Sequence, residues 1–250
     1  MKNIVAIVGK EMRLYFASPI IYVMAAVFLL IADFLFYSQI SLYSIMRFQQ
    51  NLSQMSIHQV VFQPSFMNMG IILLLMVPLL TMRLISEEKK GRTLELLLTS
   101  PVSIIEIVFA KFLAAFLVYL ILLTMTLHVP LILATLTTVS IKPLISSYLG
   151  LAMMGGVFVS FGLFASTLSE NQIIAAVTSF GILIGLWLIR AGDTGGETPM
   201  DAVLNFLSLV RHLDNMVKGL IDTRDISYFI SLTTMGLFLS HRIIESTRWK

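Results

Sequence analysis

FLAAFLVYLILLTMTLHVPLIL, residues 112–133, contains no Asp, Glu, Lys or Arg and is long enough to cross a bilayer. A span of roughly 20 apolar residues matches the ~30 Å hydrocarbon core. Stretches of the same kind recur at about 20–38, 67–84, 147–168, 171–189 and 226–242. The second lies in a segment free of charged residues from Phe48 to Met82. The pattern predicts an all-α, polytopic membrane protein of six transmembrane helices.

Composition agrees. The chain is 57% hydrophobic and 12% charged, with a mean hydropathy of +0.90, whereas a soluble domain is about 25% charged. A water-facing surface cannot be covered with so little charge. With 250 residues and no cysteine, the expectation is one membrane domain without disulfides or cysteine metal sites. Lys10, Glu11 and Arg13 interrupt the first apolar stretch, so the N-terminus reads as retained, not as a secretory signal. Residues 2–17 alternate apolar and polar at helical spacing, as in a cationic interfacial helix preceding the turn at Ser18-Pro19.

Six spans put both ends of the chain on one side. That side and its span ends carry eleven basic residues, against six on the other, so the positive-inside rule predicts cytoplasmic termini. The outer loops 39–66 and 190–225 have apolar patterning suited to short helices, with Gly219 as a helix stop and Asp222 as a cap.

The cytoplasmic segment RLISEEKKGRTLELLLTSPVSIIEIVFAKF, residues 83–112, is the most informative. Gly91 is suited to end one short helix and residues 93–98 to form another, broken at Ser100-Pro101. Ser103 and Glu106 have capping-box spacing. A short helix that is charged on one side and apolar on the other suits docking of a soluble partner; a solvated loop of mixed charge is the alternative.

Inside the spans, Asp33 and His128 are the polar residues that need an explanation. Asp33 is expected to contact substrate, to snorkel to the outer surface or to hydrogen-bond within the bundle, since a charge there is costly. His128 precedes Pro130 at an expected kink. Gly155, Gly156 and Gly162, and the G-x-x-x-G pair Gly181 and Gly185, are candidates for close helix packing. No nucleotide-binding G-x-x-x-x-G-K-[ST] loop, catalytic triad, metal-ligand spacing or nucleic-acid patch is present, which disfavours a membrane enzyme.

RLISEEKKGRTLELLLTSPVS, residues 83–103, resembles the segment between the second and third spans of ABC-2 type transporter permeases. KEMRLYFASPIIYV is similar to that family's elbow helix, FGLFASTLSENQIIAAV to its fourth-to-fifth span junction, and HLDNMVKGLIDTRDISYFISLT to the entry into its last span. The resemblance is nearest to the branch of gliding-motility-associated and nitrous-oxide-reductase-maturation permeases, which usually have a longer loop before the last span. It implies one domain over 1–250, with an elbow helix at 1–18, a coupling segment at 86–100 and an outer loop at 190–225. The coupling residues would be Glu87, Glu88, Lys89, Gly91, Arg92, Thr93, Leu94, Glu95, Leu96 and Leu97. It further implies a permease of the cell membrane, dimeric with itself or a second permease subunit. Cytoplasmic ATPase subunits would hold ATP and magnesium, this chain would need no cofactor, and an accessory protein on the outer side could join. Export is the implied direction. A scaffold that moves nothing is the competing reading.

Overall fold

The computed structural model describes residues 2–48, 56–95, 102–137, 139–189, 203–204 and 206–247. Helices account for nearly all of them. α1 spans Lys2–Ala17 and α2 Pro19–Phe48. A π-helical turn, His58–Phe62, leads into α3, Gln63–Thr81, and α4, Arg83–Lys90. α5 is Ile104–Met125, α6 His128–Leu136, α7 Ile141–Leu168 and α8 Gln172–Leu188. α9 is Leu209–Val217 and α10 Thr223–Thr247.

The expectation of six spans is corrected to four. Among the described residues, four helical stretches are long and apolar enough to cross a membrane: Pro19–Met46, His58–Lys90, Ile104–Leu136 and Ile141–Leu168. The fifth expected span is apolar, but α8 has only 17 residues, about 25 Å of helix against a core of about 30 Å. The sixth fails on polarity. α10 has 25 residues, but Ser227, Ser231, Thr233, Thr234, Ser240, His241 and Arg242 dilute its apolar character.

α7 is the central helix. Of its most apolar window 78% is buried, against 22% for α2 at the periphery, and α3, α5, α8, α9 and α10 all pack against it. Small residues make this possible. A Cβ on Gly155 would lie 2.1 Å from the Tyr119 ring, and one on Gly162 2.2 Å from Thr81 Oγ1. A Cβ on Gly236 of α10 would lie 2.5 Å from Ser160 Oγ. Gly156 faces Thr233 at 3.4 Å, an ordinary contact. Residues 156 and 160 thus meet 233 and 236 in ascending order, so α7 and α10 run in the same direction. The last turn of α10 therefore lies at the end of the bundle where α7 finishes.

Breaks fall where the backbone loses a partner. Pro130 has no amide to donate to Thr126, and the chain turns at Thr126-Leu127 between α5 and α6. The freed region is served by Thr126 Oγ1, which donates to Leu123 O at 2.7 Å and lies 3.1 Å from Tyr148 Oη. At the same end of the bundle, Gly219 takes a left-handed conformation (φ +87°) against Pro143. The Arg224 amide donates to Asp222 Oδ1 at 3.0 Å, which holds that carboxyl below its usual range. Buried His212 joins α9 to α10 through Asp225 Oδ1 at 2.5 Å.

Candidate functional site

The end of the bundle opposite α9 gathers charge that the membrane would not tolerate. α1 lies along α5 with Glu11 and Tyr15 buried, and α4 leaves α3 beside them. Between the three sits Lys111, 1% exposed. Its ammonium donates to Glu11 Oε1 at 2.8 Å and to Leu84 O at 2.6 Å, and it pairs with Glu88 Oε1 at 3.0 Å. Two of the three ammonium hydrogens are thus bonded, one to α1 and one to α4, with the Glu88 carboxylate of α4 beside them as an ion-pair partner, while the stem rises from α5. Lys10 adds an exposed contact to Glu88 at 3.4 Å.

Two further links tie α4 down. Arg83 stacks over the Tyr15 ring at 4.7 Å, a cation–π contact. Tyr15 donates to Leu80 O at 2.9 Å; burial pushes its phenol up, so the hydroxyl keeps its hydrogen. Lys89 donates to Thr167 O at 2.5 Å, placing a cation on the carbonyl end of α7 where the helix dipole favours it. Together, Arg83, Glu88 and Lys89 connect α4 to α1, α5 and α7. A cleft of about 220 Å³ opens beside the triad, with Lys10, Arg83, Glu87 and Thr93 on its walls.

The residues expected to form a coupling segment divide by environment. Glu87, Gly91, Arg92, Thr93 and Glu95 are exposed; Glu88 and Lys89 are half-buried in the links just described; Leu94 is buried in the chain's own core. Leu96 and Leu97, with the expected break at Ser100-Pro101, lie outside the described residues. Capping-box bonds between Ser103 and Glu106 start α5. The turn after α4 holds an inversion of the usual chemistry. Gly91 has ordinary right-handed angles, while Arg92 takes the left-handed conformation at φ +53°. That region costs a side-chain-bearing residue about 1–2 kcal/mol. Arg92→Gly is therefore expected to leave thermal stability of the detergent-solubilised chain unchanged or raise it by up to about 1 kcal/mol. A clear loss would show that the Arg92 side chain makes a stabilising contact.

Asp33 and His128 occupy the other half of the membrane region and are brought together, with His128 Nε2 3.0 Å from Asp33 Oδ1. Of the glycines, Gly155 and Gly162 sit against neighbouring helices as described, whereas a Cβ on Gly181 or Gly185 would meet nothing within 4 Å. Sequence reasoning did not pick out Glu11 and Lys111 as partners. The signal was present: Glu11 stands on the apolar stripe of α1 with Ile4, Val8 and Tyr15, and Lys111 is the one charge in α5 beyond Glu106 of its first turn. A charge on the buried face of a helix needs a partner from elsewhere.

Among the described residues, no group of three or more His, Asp or Glu could hold a metal ion. A family model described as "ABC-2 family transporter protein" matches residues 5–242. No curated protein matches the chain. The match spans nearly the whole sequence, and the chain belongs to the ABC-2 transporter family.

Proposed function

We propose that this ABC-2 family chain is the membrane permease subunit of an exporter driven by ATP hydrolysis on a separate cytoplasmic subunit, and that residues 86–95 are where that subunit docks. The observation that carries the reading is the division of the segment. Glu88 and Lys89 are fastened to three other helices, while Glu87, Arg92 and Glu95 on the same short stretch face outward. A displacement imposed on the exposed charges would therefore be passed into α1, α5 and α7. The motifs quoted above support placement in the gliding-motility-like branch, and pairing with a second permease subunit follows from the family reading.

This end of the bundle is assigned to the cytoplasm. Lys2, Lys10, Arg13, Arg83, Lys89, Lys90, Arg92 and Lys111 cluster there, and basic residues favour that side. The direction of α10 brings the C-terminal end to the same side as α1, which supports cytoplasmic termini without any count of spans. An accessory protein would meet the opposite end, around α9.

Exposed ion pairs within one chain are worth about 0–1 kcal/mol, but a charge pair desolvated at an interface is worth about 2–5 when one partner is removed. The double variant Arg92→Glu/Glu95→Lys is expected to insert and fold like wild type. It should lower co-purification of the ATPase subunit, and ATPase stimulation by the permease, by tenfold or more. Recruitment and stimulation at wild-type levels would remove residues 86–95 from the docking surface. Recruitment without movement of any substrate by the wild-type complex would favour a scaffold.

A further inference from the structure

Arg83 opens α4 directly after the apolar run of α3, at the boundary between the membrane helices and the charged end of the bundle. We propose that Arg83 and the groove beside it bind one glycerophospholipid of the leaflet at that end, with the lipid phosphate on Arg83 and an acyl chain between α2 and α3. The guanidinium is held in place from one side. Its carbon lies 4.7 Å from the centre of the Tyr15 ring, and that ring is fixed, 2% exposed with its hydroxyl on Leu80 O. A guanidinium has five N–H donors in a rigid fork and no acceptor. Among the described residues, half-buried Arg83 donates no hydrogen bond and pairs with no carboxylate.

Beside it opens a groove of about 220 Å³. Ile20, Ile21 and Met24 wall it from the start of α2, Leu79 and Leu80 from the end of α3, and Gln172 from the first residue of α8. Ile20 and Leu79 are 55% and 47% exposed, on two of the helical stretches long and apolar enough to cross a membrane. The groove is therefore open to lipid along apolar walls and headed by a fixed cation. That combination selects an amphiphile. A soluble anion would meet the guanidinium and leave the apolar walls uncovered, while a hydrocarbon chain alone would leave the donors unmet. The guanidinium fork matches two oxygens of a phosphate, the Gln172 amide offers a further donor, and basic pockets between membrane helices hold phospholipid headgroups.

The carboxylates nearby do not take the phosphate's place. Glu87, one turn along α4, also lines the groove, but it is exposed and forms no ion pair with Arg83. Glu11 and Glu88 are held by Lys111. Of the residues outside those described, the acids are Asp193, Glu197 and Asp201. They belong to the segment after α8, whose 17 residues carry the chain about 25 Å from Gln172 before that segment begins. A lipid in the groove would touch α2, α3, α4 and α8 together and hold the corner between α1 and α2 against α4. This site depends neither on an ATPase partner nor on the direction of transport.

The test titrates the full chain, delipidated in a nonionic detergent, with phosphatidylglycerol while native mass spectrometry counts bound lipid. Wild type should take up a single lipid before any further adduct forms. Arg83→Gln should weaken that uptake about tenfold, the usual effect of losing a hydrogen bond to a charged group. Leu79→Trp, which fills the groove from an exposed position, should weaken it by as much, whereas Arg13→Gln should not, because Arg13 is an exposed cation of α1 outside the groove. Diacylglycerol with the same acyl chains lacks the phosphate and should also bind about tenfold more weakly. Wild-type uptake by both groove variants, equal weakening in all three variants, or equal binding of diacylglycerol would overturn the proposal. So would displacement of the lipid by an equal concentration of inorganic phosphate, which would mark a site for soluble anions. Should Arg83→Gln fail to fold, Leu79→Trp and the diacylglycerol comparison decide.

Discussion

Lys111→Met is expected to destabilise the chain by about 3–5 kcal/mol, the usual result of removing one partner from a buried ionic cluster. Methionine preserves the length and the apolar stem, so the loss is electrostatic. Glu11 and Glu88 would face each other across the vacated position, Leu84 O would lose its donor, and water would have to enter between α1, α4 and α5. The triple variant Glu11→Gln/Glu88→Gln/Lys111→Met should recover most of the stability, since neutral groups of similar shape replace buried pairs at little cost. Reversible unfolding in mixed micelles measures both. A single variant within about 1 kcal/mol of wild type would mean that the triad is solvated and cannot transmit displacement from α4. Because the cluster includes Glu88 but not Arg92 or Glu95, the triple variant also separates docking from transmission. On the proposed function, it should retain ATPase recruitment yet couple hydrolysis to transport less efficiently.

Gly155→Ala is the second large effect. The added methyl would start 2.1 Å from two carbons of the Tyr119 ring, and the ring cannot swing aside freely. Tyr119 is 1% exposed and its hydroxyl donates to Leu151 O at 2.6 Å. Overpacking of this kind costs about 1–3 kcal/mol, and a tyrosine hydroxyl pulled from its carbonyl adds about 1–3 more. Gly155→Ala/Tyr119→Leu should restore part of the loss by vacating the ring's volume and removing the hydroxyl together. Gly181→Ala, into open space, should stay within about 0.5 kcal/mol of wild type. If the Gly155 and Gly181 variants unfold alike, the close approach of α5 to α7 is not what makes glycine necessary at 155.

Much of this was legible in the chain itself. The apolar runs of α2, α3, α5 and α7, the cap at Ser103, the amphipathic N-terminal helix and the break near Pro130 follow from local composition and turn chemistry, which act within a few residues. The number of spans was overstated because an apolar or mixed stretch was counted without the length of the helix that carries it or the weight of its hydroxyl groups. α8 is as apolar as any span but short. α10 is long but polar, and its small and hydroxylated positions serve contact with α7: Gly236 against Ser160, Thr233 against Gly156. Likewise, the glycine pattern of α8 and that of α7 look similar as text, yet only the latter has a helix against it.

The charged residues divide in the same way. By itself the sequence determined that the chain is a helical membrane protein, where its apolar runs lie, and that its basic residues gather toward one side; the helix ends were not legible from those runs, since α2 runs on to Phe48 and α5 begins at Ile104. Tertiary structure alone decided that Lys111 answers Glu11 a hundred positions away, that Lys89 caps α7, and that Asp33 and His128 lie beside each other. The reason is physical. Helix formation and membrane partitioning respond to neighbours along the chain, whereas the neutralisation of a charge removed from water depends on whichever group the packing of distant helices brings within about 3 Å.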